Sequence, residues 1–128
     1  MKIKYIDDGI GIELTILGDA TLEKILKAAE EVYSEEYITK QKYQIIDFTK
    51  CTSFQLSSDD MRTIVEVDLE TSKSNPDIII AIIAPQDIAF GMSRVYEAYA
   101  DETGFRINVF RNKEESQLWI QNQLDDNA

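Results

Sequence analysis

Three observations predict an α/β fold built on a mainly parallel five-stranded sheet. The first is an unbroken apolar run over residues 78–84, Ile-Ile-Ile-Ala-Ile-Ile-Ala. A run that short and that rich in β-branched residues reads as a strand buried on both faces. The second is the amphipathic segment directly after the run. Pro85 ends the strand, having no N–H to give to a ladder, and Ile88, Met92, Val95, Tyr96 and Tyr99 then recur at helical spacing, with Asp87 placed to cap the helix. The third is that strands and amphipathic helices alternate on either side of this unit, the pattern of parallel strands joined by helical crossovers.

Taken in order, residues 2–7 form a first strand, and Asp8-Gly9 is a hairpin turn signal. Residues 11–17 alternate, with Ile12, Leu14 and Ile16 on one face and Glu13 and Thr15 on the other, so this strand has one partly wet face. Residues 18–21 read as a loop ending in a helix cap, with Thr21 as the first candidate and Asp19 as the alternative. The next helix carries Leu22, Ile25, Leu26, Ala29, Val32 and Tyr33 on one stripe, and polar residues 35–42 connect it onward.

Residues 43–48 (YQIIDF) are the second strand of the parallel set, and residues 49–56 read as a loop. Ser57 or Ser58 caps the next helix, with Asp59 and Asp60 in a first turn where the helix dipole favours anions. Met61, Ile64, Val65 and Leu69 are its apolar positions, and residues 72–75 with Pro76 end it. After the central strand and its helix, Gly104 suits a helix C-terminus. Residues 106–110 (RINVF) are the last strand. Asn112 caps a final helix with Glu115 in capping-box position, docked by Leu118, Trp119 and Ile120, and residues 125–128 are expected to fray. Right-handed crossovers make the last four strands parallel and leave the first antiparallel at an edge.

Composition narrows the function. A chain of 128 residues with 44% hydrophobic content and two prolines suits one ordered domain, taken here as residues 1–128. No apolar run approaches membrane-spanning length and no signal peptide is recognisable, so a soluble cytoplasmic protein with no integral membrane segment is expected. The single Cys51 agrees with a reducing compartment. A net charge of −11 disfavours nucleic acid and anionic lipid surfaces. With no histidine and one cysteine, the commonest general base and the commonest metal ligands are missing. There is no phosphate-binding glycine loop and no Gly-x-Ser-x-Gly elbow, so no enzyme, no cofactor and no metal site is expected.

Four features stand out as candidates for function. Ser57 and Ser58 start a helix after a strand; capping explains them, and phosphorylation is the sharper reading. Arg94 sits among Met92, Val95 and Tyr96; a surface arginine is the plain reading, and a buried pair with a carboxylate such as Glu97 or Asp47, or an anion site, is the sharper one. Phe54, Phe90, Met92, Tyr96 and Tyr99 read first as core, with part of the set free to line an apolar pocket. Apolar strand surface near the hairpin would suit a dimer contact. Besides these four, Asp47 ends a strand where α/β sheets present groups to ligands.

Several of these segments together resemble a known family. Leu17-Gly18 precedes the Thr21-capped helix, and Ile45-Ile46-Asp47 precedes the loop. Ala84-Pro85 leads to Phe90-Gly91-Met92-Ser93-Arg94 with Tyr96-Glu97. Then come Asn108-Val109-Phe110-Arg111, Glu114-Glu115 and Leu118-Trp119-Ile120. As a set they resemble the SpoIIAA-like branch of the STAS/SEC14-type domains, with Ser116 where alanine is expected. The resemblance implies a β/α superhelix with four helices on a mainly parallel sheet, and a non-enzymatic module. STAS relatives include anti-sigma factor antagonists switched by phosphorylation of a serine at the start of the second helix, about where Ser57 and Ser58 stand. The usual Asp-Ser-Ser-Gly type motif is replaced here by Gln55-Leu56-Ser57-Ser58-Asp59. Two functions are expected on this basis. One is a homodimeric regulatory module with a protein partner. The other is a carrier or sensor of a small apolar or lipid-like ligand, in a cleft bordered by Phe54, Phe90, Met92 and Tyr96.

Overall fold

A computed structural model describes residues 1–126. Seven strands and four α-helices succeed one another as β1 (Lys2–Ile6), β2 (Gly11–Thr15), β3 (Gly18–Ala20), α1 (Leu22–Val32), β4 (Tyr43–Asp47), β5 (Cys51–Phe54), α2 (Ser58–Ser72), β6 (Ile79–Ile83), α3 (Asp87–Tyr99), β7 (Arg106–Phe110) and α4 (Lys113–Asp126). The main sheet has the order β1-β2-β4-β6-β7. β1 runs antiparallel to β2, and every other pairing in this sheet is parallel. This is the predicted α/β sheet with its antiparallel edge strand.

The β1–β2 hairpin turns on Asp7, Asp8 and Gly9, with φ of 50°, 58° and 97°. Aspartate and glycine are among the residues that enter this left-handed region most readily, which is why Asp-Gly marks the turn in the sequence. Each later crossover advances one strand in the same direction across the sheet. With one handedness, α1, α2 and α3 must therefore share a face. The register shows which residues they cover. Ile12, Gln44 and Ile80 form one row, and Leu14, Ile46, Ile82 and Val109 the next. The main core gathers Ile80, Ile82, Met61, Val65, Ala89 and Tyr96 on this side. On the other face α4 docks Ile120 against Ile45, Ile79, Ala81 and Ile83. All five residues of β6 are buried, as its unbroken apolar run requires.

Several elements differ from the sequence reading. Residues 18–21 and 49–56, expected as loops, contain β3 and β5, which pair in parallel as a separate two-stranded ribbon. Strands of three and four residues are too short to show a period of two. α3 is capped by the backbone of Gln86 rather than by Asp87. The Asp87 carboxylate instead pairs with Arg111 at 2.7 Å. Ile88 and Leu118 are 60% and 65% exposed and lie outside the buried faces of α3 and α4. The buried faces of those helices rely on small residues instead: Ala89 and Ser93 beside Tyr96 in α3, and Ser116 beside Ile120 in α4. Small side chains let a helix approach the sheet closely, and hydropathy alone does not mark them. Of the residues expected to fray, Asp125 and Asp126 close α4, while 127 and 128 lie outside the described residues.

Candidate functional site

α1 and α2 cross the sheet side by side, and their facing stripes do not fill the space between them. Thr21 caps α1 by accepting the Lys24 N–H at 3.4 Å, which fixes where the helix starts and so which side chains face α2. Ser57 does the same for α2 in a complete capping box. Its hydroxyl accepts from the Asp60 N–H at 3.1 Å, and the Asp60 carboxylate accepts from the Ser57 N–H at 2.9 Å.

The space left between the helices is a cavity. Its walls come from Ile25, Leu26 and Ala29 of α1 and from Ile64 and Val67 of α2, and its floor includes Leu14, Ile46 and Ile82 of the sheet. The cavity has a volume of about 70 Å³. Water gains little there, because most of the lining is hydrocarbon.

One patch of the lining is polar, built by Tyr33, Gln44, Asp68, Ser93 and Tyr96. Asp68 is only 4% exposed. Its Oδ1 accepts from the Tyr33 hydroxyl at 2.9 Å and its Oδ2 from the Tyr96 hydroxyl at 2.5 Å. The Gln44 amide donates to the Tyr33 oxygen at 3.2 Å and to the Gln41 Oε1 at 2.7 Å. Gln41 in turn donates to the carbonyl of Val32 at 2.8 Å. The network thus runs from the end of α1 through β4 to α2 and α3, and these buried polar side chains satisfy one another, as burial demands.

Burial lifts the Asp68 carboxyl from 3.8 to about 6, opposed by the two tyrosine hydroxyls, which favour its ionised form. Burial beside this carboxylate also pushes the Tyr33 and Tyr96 hydroxyls well above the ordinary tyrosine value, so both stay protonated as donors.

A shallower groove adjoins the cavity and shares Leu26, Ala29, Tyr33 and Val67 with it. Its walls add Glu30 from α1 and Glu66 and Glu70 from α2. Glu70 is held by Lys73 at 2.9 Å.

Of the residues singled out from the sequence as candidates for function, Tyr96 alone lines the cavity. Phe54 packs edge-on against Phe48, with ring centroids 5.4 Å apart. Phe90 lies under the Arg111 guanidinium at 4.1 Å. Met92 is half-buried against the main core. Asp47 is buried, and its carboxylate accepts from the Thr49 N–H at 2.8 Å, closing the turn after β4. Arg94 pairs with Glu97 at 3.2 Å, but its side chain is 58% exposed, so the pair is not the buried one expected. Ser57 and Ser58 are exposed at the start of α2 and do not line the cavity, although the neighbouring Leu56 and Met61 do.

Sequence reasoning missed Asp68. A signal was present: Met61, Val65 and Asp68 fall at i, i+4 and i+7, which places an acid on the buried stripe of α2. Such a residue needs partners, and Tyr33 and Tyr96 occupy core positions on the stripes of α1 and α3.

Comparison with solved structures places this architecture. A crystal structure of an uncharacterised protein of the DUF3478 family from Shewanella loihica PV-4, with a SpoIIAA-like fold, superposes with a TM-score of 0.56. The match covers 92% of this chain and 90% of that one, at 18% sequence identity. The fold is SpoIIAA-like. No protein-family model and no curated protein matches the chain. Among the described residues of this SpoIIAA-like domain, no helix is long and apolar enough to cross a membrane, and no group of three or more His, Cys, Asp or Glu is placed to hold a metal ion.

Proposed function

We propose that this protein is a non-enzymatic carrier or sensor of a small apolar ligand, held between α1 and α2. The observation that carries the reading is the cavity itself: hydrocarbon walls with one hydrogen-bonded polar patch. Binding sites for small molecules commonly combine these two features, apolar area for affinity and a few fixed polar groups for orientation. The volume limits the enclosed part of the ligand to a short alkyl group or a small ring, with any remainder in the adjoining groove. The Asp68 carboxyl is not read as a catalytic acid, because both its oxygens are taken by tyrosine hydroxyls and the lining offers no activated nucleophile beside it.

A phosphorylation switch at Ser57 has less support. The capping box accounts for its hydroxyl, and Asp59 and Asp60 in the same turn would repel an added phosphate.

Native mass spectrometry of gently purified protein tests the ligand reading, with Ala29→Leu as the blocked control. Leucine at this wall position fills the cavity from within. The expected result is a fixed small-molecule increment on the wild type that the variant lacks. An increment that survives Ala29→Leu, or wild-type protein that binds no apolar compound when one is supplied, overturns the reading.

A further inference from the structure

We infer that the ligand is a cationic amphiphile: an apolar group seated between Leu26, Ala29 and Val67, with an ammonium at the Glu30 and Glu66 side chains of the adjoining groove. This rests on the ligand reading above and adds the charge of the occupant. The groove sets its own selectivity. Glu30, Glu66 and Glu70 stand on its walls beside the apolar residues it shares with the cavity. Glu70 already has Lys73, whereas neither Glu30 nor Glu66 forms an ion pair among the described residues. No lysine or arginine is among the described residues that line either the cavity or the groove.

A further carboxyl, Asp68, lies within the cavity lining, and the chain as a whole carries a charge of −11. A fatty-acid carboxylate or a lipid phosphate would meet like charges at close range, while an amine would meet two carboxylates with no cation of their own. The ammonium belongs in the groove rather than at Asp68. Both Asp68 oxygens already accept from tyrosines, and stripping water from a cation inside hydrocarbon walls is strongly unfavourable. Two exposed carboxylates a few ångströms from the head group favour a cation over an anion by on the order of tenfold at low salt, and by less as ions screen them.

The test uses three probes that share one chain and differ only in head group: hexylamine, hexanol and hexanoate, titrated into the full-length protein near neutral pH and monitored by NMR shifts. Hexylamine is expected to bind on the order of tenfold tighter than hexanoate, with hexanol between them and the gap closing near 0.5 M salt. Glu30→Gln combined with Glu66→Gln is expected to bring amine and carboxylate together while leaving hexanol unchanged. Equal binding of all three probes overturns the charge preference and leaves the ligand reading standing. Tighter binding of hexanoate overturns the preference outright. Binding of none overturns both. If a lysine-rich amphipathic peptide alone shifts the groove residues, a protein partner replaces the small ligand and the inference falls.

Discussion

Replacing Asp68 by asparagine removes one titration from the interior while preserving shape. The carboxyl is raised from 3.8 to about 6 by burial. A carboxyl raised in the folded state stabilises the fold while it is protonated. Its contribution is therefore complete below about pH 4 and is lost as pH rises through about 6. Integrated over that window, the loss is worth roughly 3 kcal/mol. The introduced amide can accept from one tyrosine hydroxyl and must turn its NH2 toward the other, which adds an offset that does not vary with pH. The informative quantity is thus the difference between wild type and variant, which cancels the other carboxylates. Urea denaturation of both proteins at half-unit steps from pH 4 to pH 7 supplies it. Wild type should lose roughly 2 kcal/mol relative to Asp68→Asn across that range, the rest of the loss falling below pH 4. Parallel curves, or a wild type that gains on the variant as pH rises, would refute the claim that Asp68 is held in a low-dielectric interior by two neutral donors.

Three further outcomes rest on local geometry. A Cβ on Gly11 would collide with the Tyr43 ring, which lies over that position. Gly11→Ala should therefore cost about 1 kcal/mol, and Tyr43→Ser should recover most of it in a double-mutant cycle on thermal unfolding. Ser57→Ala should cost about 1 kcal/mol by removing the cap of α2, whereas Ser57→Asp, which can cap, and Ser58→Ala should each stay within about 0.5 kcal/mol in urea denaturation. Arg94→Ala should change stability by less than about 0.5 kcal/mol, because its pair with Glu97 is exposed, and a larger loss would mean that Arg94 does something the pair does not describe.

The parts of the fold that could be read from the sequence are those in which one strong pattern dominates. The Ile78–Ala84 run has no good alternative to a buried strand, and Asp8-Gly9 has few alternatives to a hairpin turn, which in the structure also takes in Asp7. The elements that escaped depend on packing between segments. Gly18–Ala20 and Cys51–Phe54 become strands only because they meet each other, and neither has the length to announce it. Ile88 and Leu118 are apolar but lie outside the buried faces, which Ala89, Ser93 and Ser116 define by their small size. The candidate site escaped for the same reason. Leu26, Ala29 and Val67 look like ordinary helix positions, and only the spacing of α1 from α2 turns them into cavity walls. Asp68 was the exception that could have been read, since its place on the Met61–Val65 stripe is a property of the sequence alone.

The most direct test of the ligand cavity is a methyl NMR titration with hexanol, a probe without charge. Binding between α1 and α2 predicts shifts confined to the cavity methyls, among them Ile25, Leu26, Ala29, Ile64 and Val67 of the walls and Leu14, Ile46 and Ile82 of the floor, saturating together and abolished by Ala29→Leu. Shifts at the exposed Ile88 and Leu118 instead, or no saturable shift at the cavity methyls, would contradict it.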